Sequence, residues 1–295
     1  APLLPENVRT FVERAAKYVC APTGNLLAMA MRSREALDDP PVELLVVASG
    51  QTPDRMTPAR EKVLAEAGAP LSGADLARAA GVSSGVVKGL LDAGALMHVE
   101  RSLDPPFPSP DPERPPRDLT GEQKEAAAYL RNMVRDNSYR AALLDGVTGS
   151  GKTEVYFEAI AEALRRDPEA QVLVLLPEIA LTQAVTSRFE ERFGVAPAEW
   201  HSAAGSAARR RVWREVAAGR ARIVVGARSA LFLPYRKLKL IIVDEEHDQS
   251  YKQEEGVIYH ARDLAVLRAS IEQCAIVLAS ATPSLETMAN AQQGK

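Results

Sequence analysis

Short aliphatic runs alternate with longer amphipathic segments from residue 117 to the end of the chain. The aliphatic runs are rich in Val, Leu and Ile without polar alternation, which is typical of strands buried on both faces of a parallel sheet. The segments between them carry apolar residues at helical spacing. Predicted strands are 141–144, 172–176, 223–225, 240–243 and 276–279, and predicted helices are 120–135, 152–165, 179–193, 205–218 and 261–271. This alternation predicts an α/β fold with helices covering a mostly parallel sheet.

The first hundred residues show shorter patterns. Apolar spacing predicts a helix over 6–18, and an aliphatic run predicts a strand over 42–48. Residues 51–104 hold three short helical patterns, a glycine-containing turn between the second and third, and a candidate strand and wing at 95–101. That order predicts a small winged-helix domain. This module carries six basic and seven acidic side chains. Base recognition and a protein-contact or packing role therefore both stay open for it.

A proline-rich stretch separates these two parts. Seven of the twelve residues from Pro105 to Pro116 are proline, which predicts an extended linker of polyproline type with no packed element. We therefore expect four segments: 1–50 as a connector, 51–104 as the winged helix, 105–117 as the linker, and 118–295 as the larger domain.

Composition narrows the class of protein. The 295 residues are 46% apolar and 25% charged, and no apolar run approaches the length of a membrane span. The start of the sequence lacks the pattern of a signal peptide. Cys20 and Cys274 are the two cysteines, which is too few for a disulfide framework or a cysteine-based zinc site within this chain. We expect a soluble, cytoplasmic protein with no membrane partner.

Charge is unevenly distributed. The net formal charge is −3, yet ten basic residues and one acidic residue lie between Trp200 and Leu240. That basic stretch carries +9 and the rest of the chain −12. A local positive field favours a polyanion bound at one face, and a solvated arginine-rich helix is the equal alternative. The members of the basic stretch are Arg209, Arg210, Arg211, Arg214, Arg220, Arg222, Arg228, Arg236, Lys237 and Lys239.

A phosphate-binding loop is the strongest motif in the sequence. Residues 146–153 match GxxxxGK[ST] between a predicted strand and a predicted helix, as this motif requires. Glycines let backbone N–H groups turn toward phosphate oxygens, and the helix N-terminus adds its positive end. We expect Lys152 to reach the β- and γ-phosphates of a nucleotide and the Thr153 hydroxyl to ligate Mg²⁺. The nucleotide-binding candidates here are Gly146, Thr148, Gly149, Ser150, Gly151, Lys152 and Thr153.

An aliphatic strand at 240–243 ends in acidic residues. Asp244 is the candidate Mg²⁺ residue and Glu245 the candidate for polarising the attacking water, and Glu246 and His247 complete Asp-Glu-Glu-His. Three more segments follow predicted strands: Leu-Pro-Glu-Ile-Ala-Leu-Thr at 176–182, Gly-Ala-Arg-Ser-Ala-Leu-Phe at 226–232 and Ser-Ala-Thr-Pro at 280–283. Ligands bind outside the carboxyl ends of parallel strands in this architecture, although Ser and Thr are also ordinary helix caps.

Together these motifs resemble those of superfamily 2 helicases. The segments from Gly-Val-Thr-Gly-Ser-Gly-Lys-Thr-Glu-Val-Tyr to Ser-Ala-Thr-Pro-Ser-Leu-Glu-Thr are similar to the bacterial primosomal replication-restart helicases, closely over 119–290. The resemblance implies a RecA-like P-loop domain preceded by a winged helix, with 1–50 as the end of an amino-terminal DNA-binding domain. It implies a DNA-dependent ATPase that moves 3′ to 5′ on branched DNA at stalled forks, using ATP and Mg²⁺.

The resemblance also assigns residues. It implies that Lys152, Asp244 and Glu245 are catalytic, that Arg228 and Ser229 contact the DNA backbone, and that Ser280 and Thr282 couple hydrolysis to DNA. Gln123 matches an adenine-reading glutamine, and Thr120-Gly-Glu-Gln is equally a capping box. A DNA-sensing loop would include Lys252 and Tyr259, but Val257 and Ile258 replace the usual arginine or aromatic residue. The residues left there for base stacking are Tyr251 and Tyr259.

Several parts of such helicases have no counterpart in this sequence. A second RecA-like lobe, the zinc-binding module of the carboxy-terminal part and most of the amino-terminal domain are missing, so we expect a part of a longer protein that alone does not unwind DNA. The resemblance implies single-stranded and forked DNA, primosome loader proteins and single-stranded DNA-binding protein as partners of a monomer. Two alternatives stay open: a non-hydrolysing primosome scaffold with a vestigial or switch-like nucleotide site, and a winged-helix regulator with an NTPase switch.

Overall fold

A computed structural model describes residues 4–294 of the chain. The chain divides into two compact units, one formed by residues 39–105 and the other by the segments on either side of it. The smaller unit begins twelve residues earlier than the winged helix expected at 51–104, because the strand at 42–48 pairs antiparallel with the one at 96–102. The predicted strand at 42–48 therefore belongs to the small unit and not to a connector.

Two amino-terminal helices, α1 (Glu6–Tyr18) and α2 (Thr23–Ala30), form part of the larger unit. The ring of Phe11 lies 5.5 Å from that of Phe232, and the Trp213 indole N–H donates to the Ala30 carbonyl at 2.8 Å. These contacts are part of one buried apolar cluster. Residues 4–38 thus pack into the core of the larger unit. The helix α2 was not predicted from the sequence.

The smaller unit consists of three helices between two paired strands. Its elements are β1 (Val42–Ala48), α3 (Pro58–Glu66), α4 (Gly73–Ala79), α5 (Ser84–Asp92) and β2 (Leu96–Ser102). The Thr57 and Ser72 side chains cap α3 and α4 by accepting backbone N–H bonds, as N-terminal hydroxyl residues are expected to do. Leu76 and Leu90, both fully buried, anchor its apolar core. The three helices and the strand after them form in the order that the sequence predicts, whereas the pairing of that strand with 42–48 was not predicted.

The larger unit is built on a six-stranded sheet in which every neighbouring pair of strands is parallel. The strand order is β3-β10-β7-β4-β6-β5. After α6 (Gly121–Arg135), the elements are β3 (Arg140–Asp145), α7 (Lys152–Arg166), β4 (Gln171–Leu175), α8 (Gln183–Phe193), β5 (Ala198–Trp200), α9 (Ser206–Ala217), β6 (Ile223–Gly226), β7 (Leu238–Asp244), β8 (Lys252–Gln253), β9 (Tyr259–His260), α10 (Ala261–Glu272), β10 (Ala275–Ser280) and α11 (Leu285–Gln292). The predicted α/β sheet is confirmed.

Two apolar clusters cover the two faces of this sheet. One joins the sheet to α1, α9 and α10, and the other joins it to α6, α7 and α8. Successive residues of β7, such as Ile241 and Ile242, belong to opposite clusters, because successive side chains of a strand point to opposite faces. Burial on both faces accounts for the unbroken aliphatic runs in the sequence.

The helix predicted over 179–193 starts later. Residues 178–180 form a short 3₁₀ turn after Pro177, and Leu181 has φ −74° and ψ 73°, which lies outside the helical region. The helix α8 therefore begins at Gln183. Its end at Gly194, with φ +77°, is the left-handed C-terminal glycine that helices commonly use.

The proline-rich segment is extended but packed, which corrects the expectation of a linker without packing. From residue 106 onward it belongs to the larger unit. Asp111 N–H donates to the Phe193 carbonyl at 2.8 Å, and Arg114 donates to the Glu190 carbonyl at 3.0 Å. Buried Arg192 donates to the Arg114 carbonyl at 2.8 Å and pairs with Glu158 at 2.9 Å. The segment thus satisfies carbonyls at the C-terminal end of α8 and is part of the domain.

Candidate functional site

The predicted motifs converge at the carboxyl edge of the parallel sheet. The strands β3, β10 and β7 lie side by side and end in the phosphate-loop motif, in Ser280 and in Asp244. Gly146 N–H donates to the Ser280 carbonyl at 3.2 Å, and Glu246 N–H donates to the Ala279 carbonyl at 3.0 Å. Three motifs distant in sequence are therefore joined by backbone hydrogen bonds where a ligand crevice forms in such sheets.

The conformation of the loop at 146–151 depends on its glycines. Gly149 and Gly151 have φ +79° and +83°, a region that side-chain-bearing residues rarely adopt. A Cβ at Gly146 would lie 2.8 Å from the Ser150 hydroxyl oxygen. The sequence thus keeps these positions free of side chains, which lets backbone N–H groups face inward at the start of α7.

Lys152 is the first residue of α7 and is buried, with 8% of its surface exposed. Its ammonium donates to the Gly146 carbonyl at 2.8 Å and lies 3.9 Å from Glu245 Oε1. A buried ammonium held by its own loop beside a helix N-terminus is positioned for phosphate oxygens. The burial also strengthens its electrostatic effect relative to an exposed lysine.

Asp244 and Glu245, the first two residues of the acidic motif, differ in their hydrogen bonds and in their backbone conformation. Asp244 ends β7, and its Oδ2 accepts the Tyr156 hydroxyl at 3.0 Å. Burial raises the pKa of Asp244 above its usual range; the Tyr156 bond opposes that shift and the charge of Glu245 adds to it. Glu245 has φ +47°, an uncommon conformation for a residue other than glycine. Backbone strain of this kind clusters at functional sites.

His247 connects the acidic motif to Ser280. Its Nδ1 lies 2.7 Å from the Ser280 hydroxyl and 3.7 Å from Glu245 Oε2. The Thr282 backbone N–H donates to the same Ser280 hydroxyl at 3.0 Å. A short path therefore runs from the candidate water-polarising carboxylate to the Ser-Ala-Thr segment, and the coupling of this segment to DNA stays a prediction.

Glu246 is a structural anchor that sequence reasoning missed. It is fully buried, and its carboxylate accepts from Arg262, from the Ser284 N–H and from the Thr287 hydroxyl at 3.0, 2.7 and 2.9 Å. Burial pushes the pKa of Glu246 upward, but these hydrogen bonds outweigh it and hold the pKa below its ordinary value. Glu246 thereby fixes the start of α11 against the acidic motif. Its place inside the acidic run was the only sequence signal.

Gln123 serves both as a helix cap and as a contact to the phosphate loop. The side-chain oxygen Oε1 of Gln123 accepts the Thr120 backbone N–H at 2.8 Å, and the backbone N–H of Gln123 donates to the Thr120 hydroxyl, which completes the capping box. Its Nε2 donates to the Ser150 carbonyl at 2.7 Å. The capping box considered from sequence is therefore present. The adenine contact stays a prediction.

The residues predicted to meet DNA make mostly internal contacts. Arg228 donates to the Ser250 and Lys252 carbonyls, both at 2.9 Å, and Ser229 accepts the Trp200 indole N–H at 3.1 Å. Tyr259 is 4% exposed and packs edge-on against Phe232. Thr282 and Lys252 are exposed, and Lys252 pairs with Glu254 at 2.8 Å.

Neither tyrosine named for base stacking offers a surface ring. Tyr251 is 1% exposed, and its hydroxyl donates to the Leu175 and Asp244 carbonyls. Burial raises the pKa of Tyr259 to about 12, and its ring is covered by the core. The expectation that Tyr251 and Tyr259 could serve as base platforms is corrected, because both rings fill the apolar core under the loop.

The basic stretch is largely committed to internal bonds as well. Its cations hold backbone carbonyls or nearby carboxylates instead of forming one open face. Arg214 donates to the Glu35, Ala36 and Asp38 carbonyls. The other contacts are Arg210 with Glu35, Arg211 over the Phe107 ring, Arg220 with Glu215, Arg222 with the Ala170 and Asp167 carbonyls, Lys237 with Asp167 and Glu169, and Lys239 with Asn137.

The fold and the converging motifs are those of a P-loop helicase lobe, and comparison with known proteins agrees. The DEAD/DEAH box helicase family matches residues 120–291. The chain belongs to that family and has its RecA-like fold. Membership implies nucleotide-dependent and Mg²⁺-dependent chemistry in general.

Individual proteins give a narrower comparison than the family does. The chain is similar to the replication restart protein PriA of Rickettsia felis, with 47% identity over 178 residues that cover 60% of this chain and 26% of that protein. It is also similar to the replication restart protein PriA of Bacillus subtilis, with 41% identity over 229 residues that cover 77% of this chain and 28% of that protein. The chain thus spans about a quarter of the length of these relatives.

Among solved structures, the chain is similar to the DUF1998 helicase MrfA at 21% identity and a TM-score of 0.42, over 61% of this chain and 29% of that one.

The length and polarity of the helices bear on membrane insertion. Across residues 4–294, every helix is too short or too polar to cross a bilayer.

Proposed function

We propose that this chain is the ATP-binding lobe of a DNA-dependent ATPase and 3′–5′ DNA helicase that recognises branched DNA and restarts stalled replication forks. One observation carries the proposal: the buried Lys152 and the partly buried Thr153, Asp244 and Glu245 lie at one edge of the sheet, in a chain 41–48% identical over its aligned part to replication restart proteins. The remaining proposals follow from this one.

The phosphate loop binds the nucleotide in this proposal. Backbone N–H groups of 147–149 and the N-terminus of α7 hold phosphate oxygens, and Lys152 adds the positive charge; the N–H groups of Gly146 and Ser150 bond to the Ser280 and Val147 carbonyls instead. The residues fit such a ligand, because the positive φ angles of Gly149 and Gly151 form the turn that the motif needs and the buried Lys152 ammonium lies against that turn. Gln123, whose amide already touches the loop at Ser150, contacts the adenine edge.

The oxygen atoms of Thr153 and Asp244 suit a hard cation such as Mg²⁺. When bound, Mg²⁺ neutralises charge that develops on the β- and γ-phosphate oxygens. Glu245, half-exposed at the edge of the site, accepts a proton from the attacking water. Lys152 and Glu245 lie 3.9 Å apart, so a phosphate held by Lys152 would be next to a water held by Glu245.

Coupling to DNA runs through Ser280 and Thr282 on one side and through Arg228, Ser229, Lys252 and Tyr259 on the other. Because Arg228 holds the backbone of the loop at 250–252, a DNA contact at 226–232 shifts the segment that follows Asp244 and Glu245. Residues 39–105 act as a winged-helix module, and residues 118–295 contain the ATP-binding lobe.

Further parts of the proposal concern the cellular setting. Single-stranded and forked DNA, primosome loader proteins and single-stranded DNA-binding protein are the partners, and the protein is a cytoplasmic monomer. The proposal for this sequence includes no zinc site; the resemblance implies zinc only in the carboxy-terminal part of longer helicases.

The test measures ATP hydrolysis by the full-length protein with forked DNA, with single-stranded DNA and without DNA. We expect hydrolysis that rises on forked DNA. Isothermal titration of this 295-residue chain with Mg-ATP provides a second measurement that does not depend on turnover. Binding without any hydrolysis would favour the switch-like scaffold, and no binding at all would refute the proposed nucleotide site.

A further inference from the structure

One buried hydroxyl group in the site has no role in the function proposed above. Tyr156 lies on α7, three residues after Thr153 and so on the same face of the helix. Only 1% of its surface is exposed, and its hydroxyl donates to Asp244 Oδ2 at 3.0 Å. A polar group buried this deeply costs free energy unless a specific bond compensates for it. Here that bond is made to a proposed metal ligand.

The second proposed metal ligand lies on the same helical face as Tyr156. Thr153 and Tyr156 are three residues apart on α7, a spacing that makes side chains of a helix neighbours. Tyr156 is therefore next to Thr153 along its own helix and is bonded to Asp244 at the end of β7.

Arg188 on α8 completes the arrangement. Its Nη1 donates to the Thr153 hydroxyl oxygen at 3.1 Å, and its Nη2 donates to Glu154 Oε1 at 2.8 Å. A guanidinium can only donate hydrogen bonds, so the Thr153 oxygen must accept in this contact. Its own hydrogen is then directed elsewhere, on the helical face that Thr153 shares with Tyr156.

Two bonds with defined donors hold the two proposed ligands. Arg188 donates to Thr153, and Tyr156 donates to Asp244. The first bond uses one lone pair of the Thr153 oxygen and leaves the other available, and the second holds the Asp244 carboxylate in one orientation. The Glu245 backbone N–H fixes the other oxygen of Asp244 at 3.0 Å. Outer contacts of this kind commonly orient metal ligands.

We propose that Tyr156 and Arg188 are positioning residues of the Mg²⁺ site, with Tyr156 orienting Asp244 and Arg188 orienting Thr153. The inference rests on the proposed function, because it takes Thr153 and Asp244 as the metal ligands. It goes beyond that function, because it assigns to Tyr156 an effect on Mg²⁺ affinity and none on nucleotide affinity, although Tyr156 contacts neither the metal nor the nucleotide.

The test is Tyr156→Phe in the 295-residue chain, which removes the hydroxyl and keeps the ring. A fluorescent ADP analogue is titrated at a series of Mg²⁺ concentrations and again with a chelator. We expect the Mg²⁺ concentration at half-maximal enhancement of binding to rise about tenfold or more, as for other outer-shell changes. Nucleotide affinity in chelator should stay at the parent's value, because Tyr156 does not contact the phosphate loop.

The matched control is Tyr235→Phe. Tyr235 is equally buried, and its hydroxyl donates to the Ala230 carbonyl at 3.3 Å, away from the site. This variant should keep the parent's Mg²⁺ midpoint. Arg188→Gln, at a side chain that is 35% exposed, should raise the midpoint in the same direction as Tyr156→Phe and serves as the deciding variant if Tyr156→Phe does not fold.

The outcomes separate the two proposals. If the parent chain binds no nucleotide, the proposed function fails. If the parent shows Mg²⁺-dependent binding and Tyr156→Phe keeps the parent's midpoint, the positioning role is overturned and the function stands. An equal shift in Tyr156→Phe and Tyr235→Phe would also overturn it. If Tyr156→Phe does not fold, an unchanged midpoint in Arg188→Gln overturns it.

Discussion

The proposed phosphate-binding side of this domain (the phosphate side) and its proposed DNA-facing side, which comprises the basic stretch and the loop after the acidic motif (the DNA side), use their polar residues in different ways. On the phosphate side, Lys152 and Asp244 lie at the same edge of the sheet, and Glu245 lies 3.9 Å from the Lys152 ammonium. On the DNA side, Arg228 holds loop carbonyls and Tyr259 fills the core. The first group surrounds the proposed nucleotide site, whereas most of the second group bonds to the protein itself.

The difference shows which kinds of sequence signal predict the geometry of the folded chain. A motif fixed by spacing and by its strand-to-helix context specifies backbone conformation, as the positive φ of Gly149 and Gly151 illustrates. A count of charges specifies no geometry, because an arginine with five donors can equally bind carbonyls, carboxylates or phosphates. Arg214, which donates to three carbonyls, illustrates the second case.

The largest expected effect is on the phosphate side. Lys152→Ala should weaken Mg-ATP binding by at least about 100-fold, because charge-assisted bonds to phosphate are lost from a buried position. The melting temperature should change little, since the ammonium donates its hydrogen bonds to its own loop and its ion pair with Glu245 is long, at 3.9 Å. Calorimetry gives the affinity and a thermal scan gives the fold control. An unchanged affinity would refute the phosphate-loop assignment.

The next effect concerns stability on the DNA side. Arg214→Ala removes the donor that holds the Glu35, Ala36 and Asp38 carbonyls, so we expect the free energy of unfolding to fall by about 1.5 to 3 kcal/mol. Arg209→Ala, on the same helix and without an ion pair in the described part of the chain, should cost less than about 0.5 kcal/mol. Denaturant unfolding measures both. Equal losses would show that Arg214 is not a structural arginine.

The sequence predicted the α/β sheet, the order of its motifs and the phosphate loop, because each depends on local spacing. It did not predict that residues 4–38 pack into the larger unit, since that depends on long-range contacts such as Phe11 with Phe232. The same reason hides the packed proline-rich segment, whose partners lie on α8. The bond from Tyr156 to Asp244 spans 88 residues and is likewise invisible to any local pattern.

A smaller effect is expected in the loop after the acidic motif. Val257 is 9% exposed and lies in the core, whereas Ile258 is 63% exposed. Only position 258 can therefore offer an aromatic ring to a base. Ile258→Trp in the full-length protein should raise DNA stimulation of ATP hydrolysis about fivefold, near the lower end of what one stacked base contributes, without changing the rate in the absence of DNA. Val257→Trp is the contrasting variant and should lower stability by overpacking.

The smallest effect tests what is left of the basic stretch as a polyanion site. Reversing Arg209, Arg210 and Arg211 together would confuse two causes, because Arg210 pairs with Glu35 and Arg211 lies over the Phe107 ring. Arg209→Ala alone isolates the question. Each phosphate contact that is lost reduces the slope of log affinity against log salt by about 0.7 for single-stranded DNA. We expect a reduction of that size for Arg209→Ala and none for Arg222→Ala, whose guanidinium holds the Ala170 and Asp167 carbonyls.

Fluorescence anisotropy with a single-stranded oligonucleotide, at salt concentrations from about 50 to 200 mM, measures both slopes. If neither variant departs from the parent's slope, the basic stretch serves the fold throughout. If Arg222→Ala flattens it as much as Arg209→Ala, the internal carbonyl bonds do not keep an arginine from DNA, and the contrast between the two sides of the domain fails.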